Sequence, residues 1–333
     1  DMKNFLRLAC VVMATLICTT SLWAQTTTLR FNNEKKFKIV QFTDIHWIYN
    51  NPDSDIAGER MREVLDAERP DLVVFTGDLI FAKPAAKALD KALEPVVERG
   101  IPFAVTWGNH DDEQDMTRAE LSAYISKKRG NLTSTTEGIS GQTNYTLSIK
   151  SSKSDKDAAV IYIFDSNSYS TLKNIKGYGW IRHEQVEWYR KASAAFTSSN
   201  NGTPLPALAF FHIPLPEYHE AVRNENTMLV GTRKETACSP AINTGLGAAM
   251  LECGDVMGVF VGHDHVNDYA AEWNGILLAY GRYSGGNTVY NDIPGGNGAR
   301  VIELTEGEKG FKTWIRIKDG QTINHINHPA DAK

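Results

Sequence analysis

The residues of this chain whose types and spacing could do chemistry are Asp44, His46, Asp78, Asn109, His110, Asp111, His212, His263 and His265. They fall in five short stretches: Asp44-Ile45-His46, Gly77-Asp78, Gly108-Asn109-His110-Asp111, His212, and Gly262-His263-Asp264-His265. Carboxylate, carboxamide and imidazole are the donors that divalent first-row metals take. Singly, each stretch has an ordinary explanation. Asp78 would be a turn residue, Asn109 a helix cap, and His212 after Phe210-Phe211 a hydrogen-bonded core histidine. Jointly these explanations fail, because five of the nine histidines lie within the stretches.

The set reads as a two-metal phosphoesterase site. Hydrolysis of a phosphate ester needs charge on the phosphoryl oxygens neutralised, a water ionised near neutral pH, and the leaving oxygen protonated or stabilised. Two divalent ions about 3.5–4 Å apart meet the first two needs. Holding them that close calls for a bridging carboxylate. Neutral imidazole and amide ligands then leave positive charge over for the phosphate.

Positioning such a set falls to the apolar runs that precede each stretch. Residues 37–42, 72–76, 101–107, 205–211 and 256–261 read as strands. In open α/β sheets, ligands bind beyond the carboxyl ends of strands, so the five stretches share one rim. Residues 59–67 place Met61, Val64 and Leu65 on one helical face, and residues 85–98 do so with Leu89, Leu93, Val96 and Val97. Residues 184–196 also read as a helix, and 145–149, 158–164, 276–280, 300–304 and 311–317 as further strands. Strand–helix alternation followed by more strands predicts an α/β (α+β) fold, parallel units extended by antiparallel strands in two packed sheets.

Composition narrows the class. The chain has 333 residues, 42% hydrophobic and 23% charged, which is ordinary for a globular domain. Its net charge of −5, with no basic stretch interleaved with aromatics, gives no case for a nucleic-acid partner. Asp1 stands as an extraneous residue ahead of the initiator-like Met2. Lys3 and Arg7, an apolar stretch over 8–22, and Ala24 before Gln25 then have the order of a secretory signal. Residues 1–24 are therefore expected to be a signal peptide and 25–333 a single domain, periplasmic or secreted, with no stable membrane anchor after cleavage. Of the four cysteines, Cys238 and Cys253 remain after that cut, and in an exported chain they are expected to pair.

The motif series Asp44-Ile45-His46, Gly77-Asp78, Gly108-Asn109-His110-Asp111, His212 and Gly262-His263-Asp264-His265 resembles that of the calcineurin-like metallophosphoesterases. Asn267-Asp268, Tyr280-Gly281-Arg282, Ser239-Pro240 and Asn243-Thr244-Gly245 resemble the bacterial and plant branch called purple-acid-phosphatase-like. The resemblance implies a four-layer αββα sandwich of two mixed sheets flanked by helices. It implies that Asp44, His46 and His265 hold one metal, that Asn109, His212 and His263 hold the other, and that Asp78 bridges them. A hydroxide held between the metals would attack phosphorus, with His110 stabilising the phosphate or protonating the leaving group and Asp111 orienting His110. The metals would be zinc, manganese or iron. Purple acid phosphatases carry a metal-binding tyrosine three residues after the bridging aspartate. Here that residue is Phe81, so the ferric preference does not carry over.

The substrate is expected to be a small-molecule phosphate mono- or diester. Arg282 and Tyr283 are candidate substrate contacts, a guanidinium being suited to phosphate, and Trp47 could stack on an organic leaving group or shield the site. The alternative is a non-catalytic metal- or phosphate-binding protein on the same scaffold. A complete ligand set beside His110 favours the enzyme. No His-Glu-x-x-His motif supports a zinc protease.

Overall fold

The computed structural model describes residues 27–223 and 227–330. The expected signal segment lies outside the described residues. In chain order the elements are β1 (Lys36–Phe42), α1 (Pro52–Glu68), β2 (Leu72–Thr76), α2 (Ala85–Val97), β3 (Phe103–Thr106), α3 (Arg118–Ile125), β4 (Tyr145–Lys150), β5 (Asp157–Ile163), α4 (His183–Ser199) and β6 (Ala207–Phe210). There follow α5 (Glu217–Arg223), β7 (Leu229–Val230), α6 (Leu246–Cys253), β8 (Val256–Val261), β9 (Ala270–Trp273), β10 (Ile276–Tyr280), β11 (Gly298–Thr305), β12 (Phe311–Ile317) and β13 (Thr322–His328).

These strands form two mixed sheets, ordered β13-β12-β11-β1-β2-β3 and β4-β5-β6-β8-β10-β9-β7. Each has a parallel part: β1-β2-β3, forming one half of the first sheet, and β5-β6-β8-β10, in the middle of the second. Antiparallel strands extend the first sheet beyond β1 and the second sheet on both sides. Alternation along β1 shows how the layers stack. Phe37 and Ile39 point into the space between the sheets, with Leu208, Phe210 and Phe260 opposite. Val40 and Phe42 point the other way, onto Met61 and Leu65 of α1 and Leu89 and Leu93 of α2. The outer face of the second sheet buries Tyr162 and Ala209 against Val186 and Tyr189 of α4 and Met250 of α6. Because both faces of the central strands are covered, they read as continuous apolar runs. The result is the αββα order of layers, and the parallel strands deliver their carboxyl ends to one rim. Among the described residues, no helix is long and apolar enough to cross a membrane.

The expected disulfide is not formed, since Cys238 and Cys253 are free. The backbone N–H of Cys238 donates to Asp264, just past the end of β8. Cys253 closes α6, ahead of the start of β8. A strand of six residues puts about 20 Å between those two ends, whereas disulfide Cα atoms lie within about 7 Å.

Candidate metal centre

Each ligand candidate leaves its strand within a few residues of the carboxyl end, and the backbone turns sharply there. Asp44, His46, Asp78 and His263 all have positive φ (54°, 48°, 53° and 80°), a region that costs a non-glycine residue about 1–3 kcal/mol and clusters at functional sites. The turns after β1 and β2 run side by side, with Asp44 N–H donating to Gly77 O at 3.0 Å and His46 N–H to Asp78 O at 2.9 Å. Glycine precedes three of the stretches because the loops nearly touch. A Cβ on Gly108 would lie 2.5 Å from Asp78 N, and one on Gly262 would lie 2.8 Å from Asp44 Oδ2.

The side chains converge in two groups that share Asp78: Asp44, His46, Asp78 and His265, and Asp78, His212 and His263, with candidate ligand atoms inside each group within 4.8 Å of one another. Asn109 joins the second, its Oδ1 being 3.2 Å from His212 Nε2. All seven residues are buried. Second-layer contacts aim the rings. His212 Nδ1 donates to Thr76 O at 2.7 Å and His265 Nδ1 to Tyr290 O at 3.0 Å, which points each Nε2 inward. Asp44 is fixed by Thr43 Oγ1 at 2.8 Å and by His263 N–H at 3.0 Å.

Burial pushes the His46 and His263 imidazoles well below their ordinary value and His265 down to about 4, so all three are neutral donors at pH 7. Burial lifts Asp44 to about 7. For Asp78 burial is overcome by the charge of His212, which holds the carboxyl well below the usual range. His212 is raised to about 9 despite its burial, because Asp78 Oδ2 stands 3.1 Å away.

The donors fit a pair of cations. Asp78 Oδ1 accepts the His110 N–H at 2.9 Å, Asp78 Oδ2 faces His212 Nε2 at 3.1 Å and His46 Nε2 at 3.7 Å, and His263 Nε2 is buried without a hydrogen-bond partner. His46 Nε2 and His265 Nε2 face each other at 3.0 Å. An N–H of one ring can join the two, and a cation between them would take both lone pairs; His46 Nδ1 is buried without a partner, and a buried polar group left unmatched costs about 1–3 kcal/mol.

His110 sits beside the ligands with its ring 5.6 Å from that of His46. Its Nδ1 faces Glu113 Oε2 at 2.6 Å. The other oxygen of Glu113 accepts from Tyr169 OH at 2.8 Å, and that hydroxyl accepts from Asn109 Nδ2 at 3.1 Å. The role expected of Asp111 therefore falls to Glu113. Asp111 is fully buried, facing away from the imidazole, and collects the N–H groups of Asp78 (2.9 Å), Leu79 (2.7 Å), Ile80 (3.2 Å) and Gly108 (2.7 Å). It is a staple between two ligand loops. Phe81 meets His46 and His110 edge-on at 5.1 and 5.3 Å, an apolar wall.

Arg118, on α3, went unnoticed in the sequence. It donates to Gly108 O and Ser168 Oγ at 2.6 Å and to Asp165 at 2.7 Å, tying the Asn109 loop to the loop that carries Tyr169. The three-residue step from His110 to Glu113 was the available signal for that pair. Nothing local marks Arg118.

Arg282 and Tyr283 are not substrate contacts in this structure. The Arg282 guanidinium is fully buried, bonded to Asp268 and to the carbonyls of Pro294 and Gly296. Tyr283 is buried behind His265, its hydroxyl donating to Gly286 O at 2.7 Å. Trp47 belongs to the core beside α1, its ring closing on Gly58, which leaves it no free face for a leaving group.

Residues 37–267 match the calcineurin-like phosphoesterase family, and the chain belongs to it. That family typically binds two metal ions, for which the cluster above is the candidate ligand set. Among relatives, the chain is 33% identical to "Probable inactive purple acid phosphatase 14" of Arabidopsis thaliana, with 87% of this chain and 83% of that one covered. It is 34% identical to "Phosphatase DCR2" of Saccharomyces cerevisiae, over 87% of this chain and 55% of that one. The solved dimetal phosphatase from Danio rerio superposes with a TM-score of 0.60 at 13% identity, covering 86% of this chain and 98% of that one, a likeness that shows the shared fold.

Proposed function

We propose that the protein is an exported, metal-dependent phosphoesterase acting on small-molecule phosphate mono- or diesters. The observation that carries this is the arrangement of donors: seven buried nitrogen- and oxygen-bearing side chains on one rim, centred on a carboxylate oxygen whose near neighbours are the imidazole nitrogens of His212 and His46. Asp44, His46 and His265 would hold one ion, Asn109, His212 and His263 the other, and Asp78 would lie between them. Bound there, zinc, manganese or iron would neutralise phosphoryl charge and acidify a water. Phe81 supplies no phenolate, so nothing at its position selects ferric iron.

This chain's own residues do the rest. His110 stands beside the ligands, and with Nδ1 donated to Glu113 its Nε2 is the nitrogen left for the leaving oxygen. Protonating that oxygen is general acid catalysis. The export reading rests on the charge–apolar–small order of residues 2–24. N-terminal sequencing of the mature protein should begin near Gln25, and an intact Met2 in a cytoplasmic product would defeat it.

A second reading, a non-catalytic metal or phosphate binder, has its own support. Three Arabidopsis relatives at 33%, 33% and 32% identity carry the words "probable inactive" in their names. Purified protein given Mn²⁺ or Zn²⁺ and a chromogenic phosphomonoester and phosphodiester separates the two. Turnover with two metals per chain supports the enzyme. Two bound metals without turnover of either ester supports the binder.

A further inference from the structure

We infer that the esters this site takes carry an uncharged aromatic ring close to the scissile bond, received by tyrosine faces that stand on the metal-ligand histidines. The inference rests on the phosphoesterase reading and names its substrate class. Tyr290 is 56% exposed and lies almost parallel to the His265 ring, centroids 4.4 Å apart at 23°. At the other ligand group Tyr178 meets His263 edge-on at 4.2 Å, and Tyr169 stacks on Tyr178 at 5.9 Å and 24°. Tyr169 is itself 43% exposed. Among the described residues, Tyr169 and Tyr290 are the two most exposed large aromatic hydrophobic side chains, and both adjoin metal-ligand candidates, Asn109 and His265.

Their hydroxyls are already engaged. Tyr169 OH donates to Glu113, and Tyr290 OH lies 3.2 Å from both Glu235 oxygens. What the tyrosines offer an incoming molecule is therefore ring face, which takes another ring offset or edge-on with centroids about 4.5–7 Å apart. The same tethers place the Glu113 and Glu235 carboxylates beside these rings. A second phosphate on the leaving group would meet negative charge there, which disfavours nucleoside di- and triphosphates and favours a single phosphate with a neutral ring.

Benzylphosphonate and cyclohexylmethylphosphonate have like size and charge, resist hydrolysis, and differ in the π system. Calorimetric titration of the Mn²⁺-loaded protein should show benzylphosphonate binding about two- to tenfold tighter, the range expected of an aromatic pair. Tyr290→Leu should erase much of that preference and Tyr290→Phe should keep it, with metal content unchanged in both. Phenethyl and cyclohexylethyl phosphate, hydrolysed by the same protein, should show the same ordering in kcat/KM. Equal affinities, no binding of either phosphonate, or a preference that survives Tyr290→Leu in full would overturn the aromatic site. If both esters were still hydrolysed, the phosphoesterase reading would stand without it. Selective benzylphosphonate binding with no hydrolysis of either ester would keep the aromatic site and remove the phosphoesterase reading.

Discussion

Glu113→Gln isolates what the carboxylate does for His110. Glutamine has the same shape, and its carbonyl can still accept from Tyr169, so the Asn109–Tyr169 contact at 3.1 Å has no reason to move. What changes is the partner of His110 Nδ1, now 2.6 Å from a charged oxygen. An amide can offer either its oxygen or its NH₂ to that nitrogen, and the imidazole loses its single preferred setting. The Glu113 side chain is 39% exposed, so solvent screens part of its charge. Loss of such an outer partner typically costs about 10–100-fold, and the exposure argues for the lower end: about tenfold in kcat, or about 1.4 kcal/mol. Because the effect acts through proton delivery, it should be larger for an alkyl phosphate than for a nitrophenyl phosphate, whose leaving group needs no proton. His110→Ala should show the same selectivity at roughly 10²–10⁴-fold. Steady-state kinetics on both esters, with metal content measured on each variant, checks this. Equal losses on the two esters would refute the proton-delivery argument, and a loss of metal would mean that Glu113 supports the ligands instead.

Other expectations follow from single contacts. Gly108→Ala should fold with reduced metal content, because its Cβ would press on the Asp78 backbone at 2.5 Å and on the carboxylate itself; elemental analysis showing full occupancy would contradict that. Glu68 is buried at the foot of α1 against Arg316, Lys38 and Trp314, and although burial opposes ionisation those partners hold its carboxyl below the usual 4.5. A depressed folded-state pKa contributes stability above the unfolded value that is lost as pH falls through the folded one. Glu68→Gln should therefore cost about 2 kcal/mol at pH 7, and the gap to the parent should close in strong acid; chemical denaturation giving the same gap at pH 7 and pH 2 would be inconsistent with this. Iron-loaded protein should show no purple band, and Phe81→Tyr should introduce one if the new hydroxyl reaches the metal held by His46, against which the present ring already lies.

How much of this was legible in the sequence depended on whether the cause was local. Runs 72–76 and 256–261 coincide with β2 and β8 to the residue, since strands covered on both faces are apolar throughout and glycine ends them. The first two turns of α1 were missed because Asn51-Pro52-Asp53-Ser54 reads as a turn; Asn51 is in fact the cap, accepting from Asp53 N–H, with proline at the first helical position. Helix α3 went unread although Thr117 and Glu120 form a capping box. Strand β13 was unread because Thr322-Ile323-Asn324-His325 is polar, as an edge strand can be. The ligands were readable because each follows its strand at once. Asp111 and Arg118 act across loops, and their partners cannot be found by spacing along one stretch, whereas Glu113 acts on His110 three residues before it. Arg282 misled for the same reason: its partner Asp268 belongs to the buried interior, and a guanidinium suited to phosphate serves a carboxylate equally well.

The two sheets contribute to the centre unequally but jointly. Loops after β1, β2 and β3 bring Asp44, His46, Asp78 and Asn109, and loops after β6 and β8 bring His212, His263 and His265. Each proposed ion thus draws ligands from both halves of the sandwich, so it would act as a rivet across the layers as well as a reagent. Each ion, present at a hundred times its dissociation constant, would add about 2.7 kcal/mol to the folded state. Metal supply would then govern how long the molecule lasts as much as how fast it turns over, and a chelator would loosen the sandwich at the rim where its two halves are joined.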